Sequence, residues 1–268
     1  MHNKPKPPTL AETLSKALSS DYFVPLLISS QTKGKFKSMN LPFGLGKTSL
    51  AFWLSYALHG GDPNDTDETN DVWDEVFQDL AYYPSKLIRM LIPKEGTSNS
   101  NPIPNVIYDD VQMTAPATQS VPAPIREMAS YITTNRPECR TLTLTAPNVN
   151  SIAAPLRKLV CYELIVWERG RYEVQQILYH KNFHDPLQDK VELAFIEGTE
   201  DTSIFDPLPP KILERYNIWR AKEKAPFARR IIQKLERYEA KIETLEEAPP
   251  EEMTIMAKRM AQRRWAKK

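Results

Sequence analysis

The chain has 268 residues, 41% of them apolar and 26% charged, a balance typical of a folded globular protein and not of a disordered or fibrous chain. Lysine and arginine outnumber aspartate and glutamate by one, 35 against 34, so no overall charge would draw the protein to nucleic acid or to a membrane. Cys139 and Cys161 lack the close spacing of a metal site or a redox pair. We therefore expect two structural thiols in a reducing cytoplasm.

Apolar runs and turn residues predict six elements before residue 95. In chain order they are a short helix over 10–18, an extended segment over 22–29, a strand over 36–41, a buried helix over 47–58, and two further helices over 72–81 and 84–91. The helix over 72–81 has the clearest pattern, because its apolar residues from Trp73 to Leu80 share one face. The apolar run over 50–58 is far too short to cross a bilayer, so we expect no membrane span.

The second half of the chain predicts the rest of a sheet, followed by helices. Its elements are a strand over 103–108, a helix with Ile125, Met128 and Ile132, a strand over 140–145, hairpin strands over 158–168 and 171–180, a third strand over 191–196, and helices beyond residue 210. Strands that alternate with helices favour parallel pairing, and the hairpin favours an antiparallel continuation. The predicted fold class is α/β, a mostly parallel sheet flanked by helices, with an antiparallel hairpin extension and a helical C-terminal arm.

The stretch from Leu41 to Ser49, LPFGLGKTS, is close to the phosphate-binding pattern GxxxxGK[ST] and departs from it only at Leu41, where the pattern has glycine. Such a loop surrounds phosphates with backbone N–H groups, while its lysine neutralises their charge and the next hydroxyl binds Mg²⁺. The residues that would do this are Gly44, Leu45, Gly46, Lys47, Thr48 and Ser49. The alternative is a strand-to-helix turn that happens to contain glycines.

Polar residues follow the strands predicted over 103–108 and 140–145. A P-loop ATPase needs one carboxylate for Mg²⁺ and usually a second to orient or deprotonate the attacking water; Asp109 would be the first and Asp110 the second. Thr145 would sense the terminal phosphate or position water, with Asn148 as the second candidate. The alternatives are an ordinary acidic turn and the general preference of threonine for strands. Ligands of open α/β sheets bind at these strand ends, so the signals together predict ATP with Mg²⁺.

Several motifs together resemble P-loop ATPases of archaeal viruses and plasmids. They are Gly-Leu-Gly-Lys-Thr-Ser, a helix with Val72-Trp73-Asp74-Glu75-Val76, Ile103-Pro104 before Val-Ile-Tyr-Asp-Asp-Val, a Thr-Ala-Pro turn, and Phe-Asp-Pro-Leu-Pro with Tyr216 and Arg220 downstream. The resemblance spans about residues 36–220 and implies a RecA-like or AAA+-like core that uses ATP with Mg²⁺ in handling DNA. Leu41, and Asp110 in place of the commoner glutamate, depart from the family pattern.

The hairpin after Thr145 resembles DNA-translocase and filamentous-phage assembly ATPases more than the helical lid of an AAA+ protein. The run from Asp109 to Gln112 is similar to their acid-acid-x-Gln run. Such ATPases often form homo-oligomers, with a ring as one arrangement, in which an arginine of one subunit completes the site of its neighbour. The resemblance implies this role for Arg157, Arg169 or Arg171; the alternative for each is a surface charge.

The predicted arm, residues 211–268, has two features of its own. Ile231, Leu235, Tyr238, Ile242 and Leu245 are spaced 4, 3, 4, 3, as in a coiled coil of barely two heptads. After Glu252 the chain has no acid, and basic residues surround a tryptophan: Lys258, Arg259, Arg263, Arg264, Trp265, Lys267 and Lys268. This composition predicts salt-sensitive, sequence-independent binding of DNA or RNA. The alternatives are a solvated tail that suits the negative end of its helix and a helix that lies on a membrane surface. Against the membrane alternative, Met253, Met256 and Met260 make only a narrow apolar stripe, which a partner helix could bury.

The sequence therefore predicts a tail with a short helix over 1–20, a P-loop ATPase core over 21–210 and the helical arm. His180 and His184 lack the glutamate of a zinc peptidase helix, so we expect no zinc. The predicted function is Mg²⁺-dependent ATP hydrolysis in DNA packaging, translocation, replication or segregation, in the cytoplasm of the host cell if the protein is viral. The alternative is a non-hydrolysing, nucleotide-binding scaffold or replication adaptor that works through protein contacts.

Overall fold

The computed structural model describes residues 23–30, 44–62, 71–92, 102–117, 121–134, 138–180, 190–197 and 204–246, together with the single residues 14, 16 and 19. For residues 176–180, 190–197 and 241–246 it describes the backbone alone. Leu41, the strand predicted over 36–41 and the basic residues from Lys258 to Lys268 lie outside the described residues, as does most of the helix predicted over 10–18.

Strands are interspersed with helices up to residue 162, and three strands then follow one another before the last helix. The strands are β1 (Val24–Ser30), β2 (Leu80–Ala81), β3 (Ile103–Tyr108), β4 (Cys139–Thr145), β5 (Tyr162–Glu168), β6 (Arg171–His180) and β7 (Lys190–Glu197). The helices are α1 (Lys47–Leu58), α2 (Asp71–Gln78), α3 (Pro84–Leu91), α4 (Val111–Thr114), α5 (Ala123–Thr134), α6 (Ala154–Arg157) and α7 (Pro210–Glu246), with a 3₁₀ turn over Val149–Ser151.

The seven strands form one sheet in the order β2-β3-β4-β1-β5-β6-β7. Pairing is parallel from β2 to β5 and antiparallel from β5 to β7. The predicted α/β fold class is confirmed, including the parallel core and the antiparallel extension. β4 lies between β1 and β3, so the ends of these three strands are neighbours.

Side chains of the central strands are buried on both faces of the sheet, because helices cover each face. On one face Leu27, Val106 and Leu144 pack with residues of α3 and α5 in a single apolar cluster. On the other face α1 packs against β1, β3 and β4 and contacts α2. Aromatic rings join these two helices: Tyr56 stacks on Trp73 with ring centroids 4.2 Å apart. The near-continuous apolar surface of α1 is explained by its position between the sheet and α2.

Two predicted boundaries are wrong, and hydrogen bonds account for both. The helix predicted over 72–81 ends at Gln78, because the backbone of 79–81 pairs with β3: Asp79 O accepts from Ile107 N–H at 2.9 Å, and Ala81 O accepts from Asp109 N–H at 2.9 Å. The strand predicted from residue 158 begins at Tyr162, because turn hydrogen bonds prolong α6, including Val160 N–H to Arg157 O at 3.2 Å.

Contacts between residues divide the chain into two compact units, 1–212 and 213–268. The second unit contains most of α7, a 37-residue helix with Pro226 in its interior. Among the described helices, none has an apolar stretch long enough to cross a membrane.

A buried histidine ends α1. The Nδ1 of His59 lies 2.7 Å from Ser55 O, and its Nε2 lies 3.1 Å from Asp79 Oδ2. Burial, the largest influence, lowers the pKa of His59, but the hydrogen bonds to Asp79 and Ser55 O and the charges of Asp79 and Glu75 together raise it above its ordinary value. A positive charge here also suits the negative end of the α1 dipole.

We expect the His59–Asp79 pair to stabilise the fold most at mildly acidic pH. Because the pKa is higher in the folded state, the stabilisation is complete below the unfolded value of about 6.5 and is lost as pH rises through the folded value. Urea unfolding of the native protein and of His59→Gln between pH 5.5 and 8.5 measures this. The free-energy difference between the two should shrink as pH rises. A difference that is constant or grows with pH would contradict a charged His59.

Candidate phosphate-binding site

Polar side chains meet at the carboxyl ends of three adjacent parallel strands. In β1 and β4, Ile28 is paired with Thr145, and in β3 and β4, Tyr108 is paired with Leu144. Ser30 at the end of β1, Thr145 at the end of β4 and Asp109 after β3 therefore share one edge of the sheet. Ligands of open parallel sheets bind at this edge.

The glycine stretch forms the turn that enters α1 beside this edge. Gly44 and Gly46 have φ values of 81° and 94°, in the left-handed region that glycine adopts without strain. Gly46 is the N-cap of α1 and supplies no capping side chain, and the first turn of α1 contains no acid. The N–H groups and positive dipole end of α1 are thus available to an anion, with no carboxylate competing for them.

Lys47 extends from the first position of α1 to the end of β1. Its Nζ donates to Ser30 Oγ at 3.0 Å. Ser30 is itself tied to the loop after β4, since its N–H donates to Pro147 O at 3.0 Å. The lysine ammonium is therefore held at the strand ends. Lys47 and Thr48 are both partly exposed.

Asp109 is a fully buried carboxylate at the centre of this edge, with 0% of its surface exposed. Its Oδ1 accepts a hydrogen bond from Thr145 Oγ1 at 2.6 Å and a longer one from Thr48 Oγ1 at 3.4 Å. A buried carboxylate needs such donors, because unpaired burial of its charge is very costly. Asp109 thus joins three elements: β3, β4 and the first turn of α1.

Asp110 has a left-handed backbone, with φ 50° and ψ 45°. No other described non-glycine residue has a positive φ. Its N–H donates to Thr145 Oγ1 at 2.8 Å, and its Oδ1 lies 3.4 Å from Gln112 Nε2. The Thr145 hydroxyl therefore accepts from the Asp110 backbone while it donates to Asp109, and this pair of bonds holds both acids.

A second chain segment, Ile204 to Asp206, packs against the glycine turn. A Cβ built on Gly46 would lie 3.2 Å from Phe205 Cε2 and 3.3 Å from Phe205 Cζ, so the ring contacts the turn directly. Phe205 N–H donates to Gly170 O at 2.9 Å, and Trp53 Nε1 in α1 donates to Asp206 O at 2.8 Å. The segment thereby connects the glycine turn to the β5–β6 hairpin.

The other predicted site residues have the following places. Leu45 and Ser49 are half-buried in the glycine turn and the first turn of α1. Arg157, at the end of α6, donates from Nη1 to Asn150 Oδ1 at 3.0 Å. Arg169 is exposed in the β5–β6 turn, and Arg171 is exposed at the start of β6, where its guanidinium lies 5.7 Å from the Trp167 ring centroid. Their roles stay predictions.

Burial raises the pKa of both Cys139 and Cys161, and both cysteines are free. A raised pKa disfavours the thiolate, so neither cysteine has the environment of a nucleophile.

Sequence reasoning missed two residues that the structure places beside the glycine turn. Ser30, the partner of Lys47, was detectable only as one of two serines that follow an apolar run. Phe205 belongs to the Phe-Asp-Pro-Leu-Pro stretch, whose position against Gly46 depends on a fold contact between residues far apart in the chain. Neither residue has a local pattern that indicates its partner.

We expect Gly46→Ala to lower the free energy of unfolding more than Gly44→Ala. A left-handed backbone costs a non-glycine residue about 1–2 kcal/mol at either position, but only the Cβ at position 46 meets another side chain, the Phe205 ring. Urea unfolding of both variants measures the difference. Equal losses of stability would contradict the contact between Phe205 and the turn.

No protein-family model matches the sequence, and no curated protein matches it. Among solved structures, the N-terminal domain of zonular occludens toxin from Neisseria meningitidis is similar over 69% of this chain and 100% of that one, with 15% identity and a TM-score of 0.32.

A genome packaging NTPase from Sulfolobus turreted icosahedral virus 2, in complex with AMP, is similar over 65% of this chain and 97% of that one, with 8% identity and a TM-score of 0.31. The strand order gives the chain an α/β fold, a mostly parallel sheet flanked by helices with an antiparallel extension, and a glycine turn enters α1.

Proposed function

We propose that the protein binds ATP and hydrolyses it with Mg²⁺. The observation that carries this proposal is the contact set of Asp109: a buried carboxylate at the end of β3 that accepts from Thr145 at 2.6 Å and lies 3.4 Å from Thr48 Oγ1, one residue beyond Lys47. A strand-to-helix turn that merely contains glycines does not require a buried acid beside the hydroxyl that follows its lysine, so this contact supports the proposal.

Each residue of the candidate site would have a distinct role in the reaction. The N–H groups of Gly44 to Ser49 would surround the phosphates, and Lys47 would exchange its bond to Ser30 for the terminal phosphate oxygens. Asp110 would orient the attacking water and accept its proton. Thr145 would sense the terminal phosphate and would also hold both acids in position, because its hydroxyl bonds the Asp109 carboxylate and the Asp110 N–H.

The residues present fit Mg²⁺. Thr48 Oγ1 and the Asp109 carboxylate are hard oxygen donors 3.4 Å apart, the ligand type that Mg²⁺ takes together with phosphate oxygens and waters. The ion, when bound, would neutralise negative charge on the phosphates. Thr48 and Asp109 would hold it, and Thr145 would keep Asp109 in position.

The wider setting of the proposal is DNA handling in an archaeal virus or plasmid, in the host cytoplasm. It is supported by the motif resemblance over residues 36–220 and by the basic composition from Lys258 to Lys268. In an active homo-oligomer, Arg157 would reach the site of a neighbouring subunit; it is half-buried in a single chain, with Asn150 as one hydrogen-bond partner.

We expect Lys47→Ala to lower the rate of ATP hydrolysis by about 10²–10³-fold, because it removes a charge that faces the developing negative charge of the phosphates. Phosphate release should be measured with and without double-stranded DNA, beside Lys158→Ala as the control for an exposed lysine. The control should keep the native rate. Equal rates of ATP hydrolysis for the native protein and Lys47→Ala would contradict the hydrolase proposal and favour the scaffold alternative.

Thr145→Val should lower ATP turnover and lower the free energy of unfolding by about 2 kcal/mol, because it removes a bond to a buried carboxylate and leaves the Asp110 N–H without that acceptor. Thr145→Ser keeps the hydroxyl and should restore turnover. Thr143→Val is the matched control, since Thr143 bonds Asn105 Oδ1 on the same strand away from the acids. Loss of turnover in Thr143→Val equal to that in Thr145→Val would show a merely structural effect.

A further inference from the structure

The second half of α7 presents an apolar stripe to solvent. Ile231, Leu235 and Tyr238 are 43%, 53% and 63% exposed. Large apolar side chains that recur on one face of a helix normally pack against another element. The sequence continues the stripe with Ile242 and Leu245, at positions where the backbone is still helical.

The spacing of the stripe assigns a heptad register. Leu235 and Ile242 occupy a positions, while Ile231, Tyr238 and Leu245 occupy d positions. From Ala228, the preceding a position, to Leu245 the stripe is 18 residues long, or about 27 Å at 1.5 Å per residue. Pro226 falls at an f position, on the outer side of the helix, just before the stripe begins.

The charged residues that flank the stripe differ in sign between the two flanking heptad positions. Lys234 and Lys241 are at g, and Glu239 and Glu246 are at e. In a parallel pair of helices a g residue faces the e residue of the next heptad on the partner, so lysine would meet glutamate at both levels. In an antiparallel pair g faces g and e faces e, so like charges would meet.

We propose that residues 228–245 of α7 form a parallel, in-register coiled coil with the same segment of a second copy of this chain. The a and d side chains, of which Ile231, Leu235 and Tyr238 are exposed, would supply the apolar seam. The pairs Lys234–Glu239 and Lys241–Glu246, each between one chain and its partner, select the orientation. A second copy meets both requirements because it carries the same seam and the complementary charges.

The test uses the full-length protein in analytical ultracentrifugation over a concentration series. The native protein should self-associate. Leu235→Ala and the charge variants Lys234→Glu and Glu239→Lys should each weaken association; for each charge variant we expect the dissociation constant to rise by about tenfold, because two attractive pairs per dimer become repulsive. Arg230→Glu and Glu236→Lys, at outer c and b positions of the same exposed helix, are the matched controls and should associate as the native protein does.

Two further measurements decide the orientation. An equimolar mixture of Lys234→Glu and Glu239→Lys should regain native-like association, since every g–e pair between the two variants is again attractive. Leu235→Cys should form a disulfide with its own copy under mild oxidation, because equivalent a positions adjoin only in a parallel, in-register pair.

Three results would overturn the proposal. One is a native protein that stays monomeric at all concentrations. Another is self-association that neither Leu235→Ala nor the charge variants change, which would place the interface elsewhere. The third is stronger association of Lys234→Glu, which would indicate antiparallel helices. Circular dichroism should show unchanged helix content in every variant, because the substituted side chains are exposed.

Discussion

The site depends on how one buried acidic side chain is satisfied. Asp109 has no exposed surface, and a buried polar side chain is tolerated only if hydrogen-bond partners surround it. Its partners lie in β4 and in the first turn of α1, so these hydrogen bonds join the strand ends and the helix in one arrangement. The Thr145 hydroxyl extends the arrangement to Asp110, whose left-handed backbone it stabilises.

Two contacts hold the glycine turn. Lys47 bonds Ser30 at the end of β1, and the Phe205 ring lies against Gly46. Because the segment 204–206 is also bonded to Trp53 and to the β5–β6 turn, the antiparallel half of the sheet supports the turn as well as the parallel half. These contacts within the chain hold the glycine turn.

The C-terminal arm differs from the core in how its apolar side chains can be buried. In the core, apolar side chains are buried within the chain itself, because helices cover both faces of the sheet. The stripe on α7 is exposed in the single chain, so its burial depends on a partner. The proposed nucleotide chemistry and the proposed helix pairing thus rest on separate observations, and either proposal can fail without the other.

Local patterns in the sequence were enough to predict the α/β class, the helix from Lys47 to Leu58 and the strand from Ile103 to Tyr108, because apolar periodicity and the Gly-Lys-Thr turn act over a few residues. They also singled out Asp109 and Thr145 as polar residues at strand ends. Only the tertiary structure decided that these two share a 2.6 Å hydrogen bond, that Lys47 bonds Ser30 and that Phe205 contacts Gly46. It also decided that Leu80 and Ala81 leave their predicted helix for a strand, since their partners lie in β3. Such pairings join residues distant in the chain, and sheet register, which the order of residues does not state, determines which of them meet.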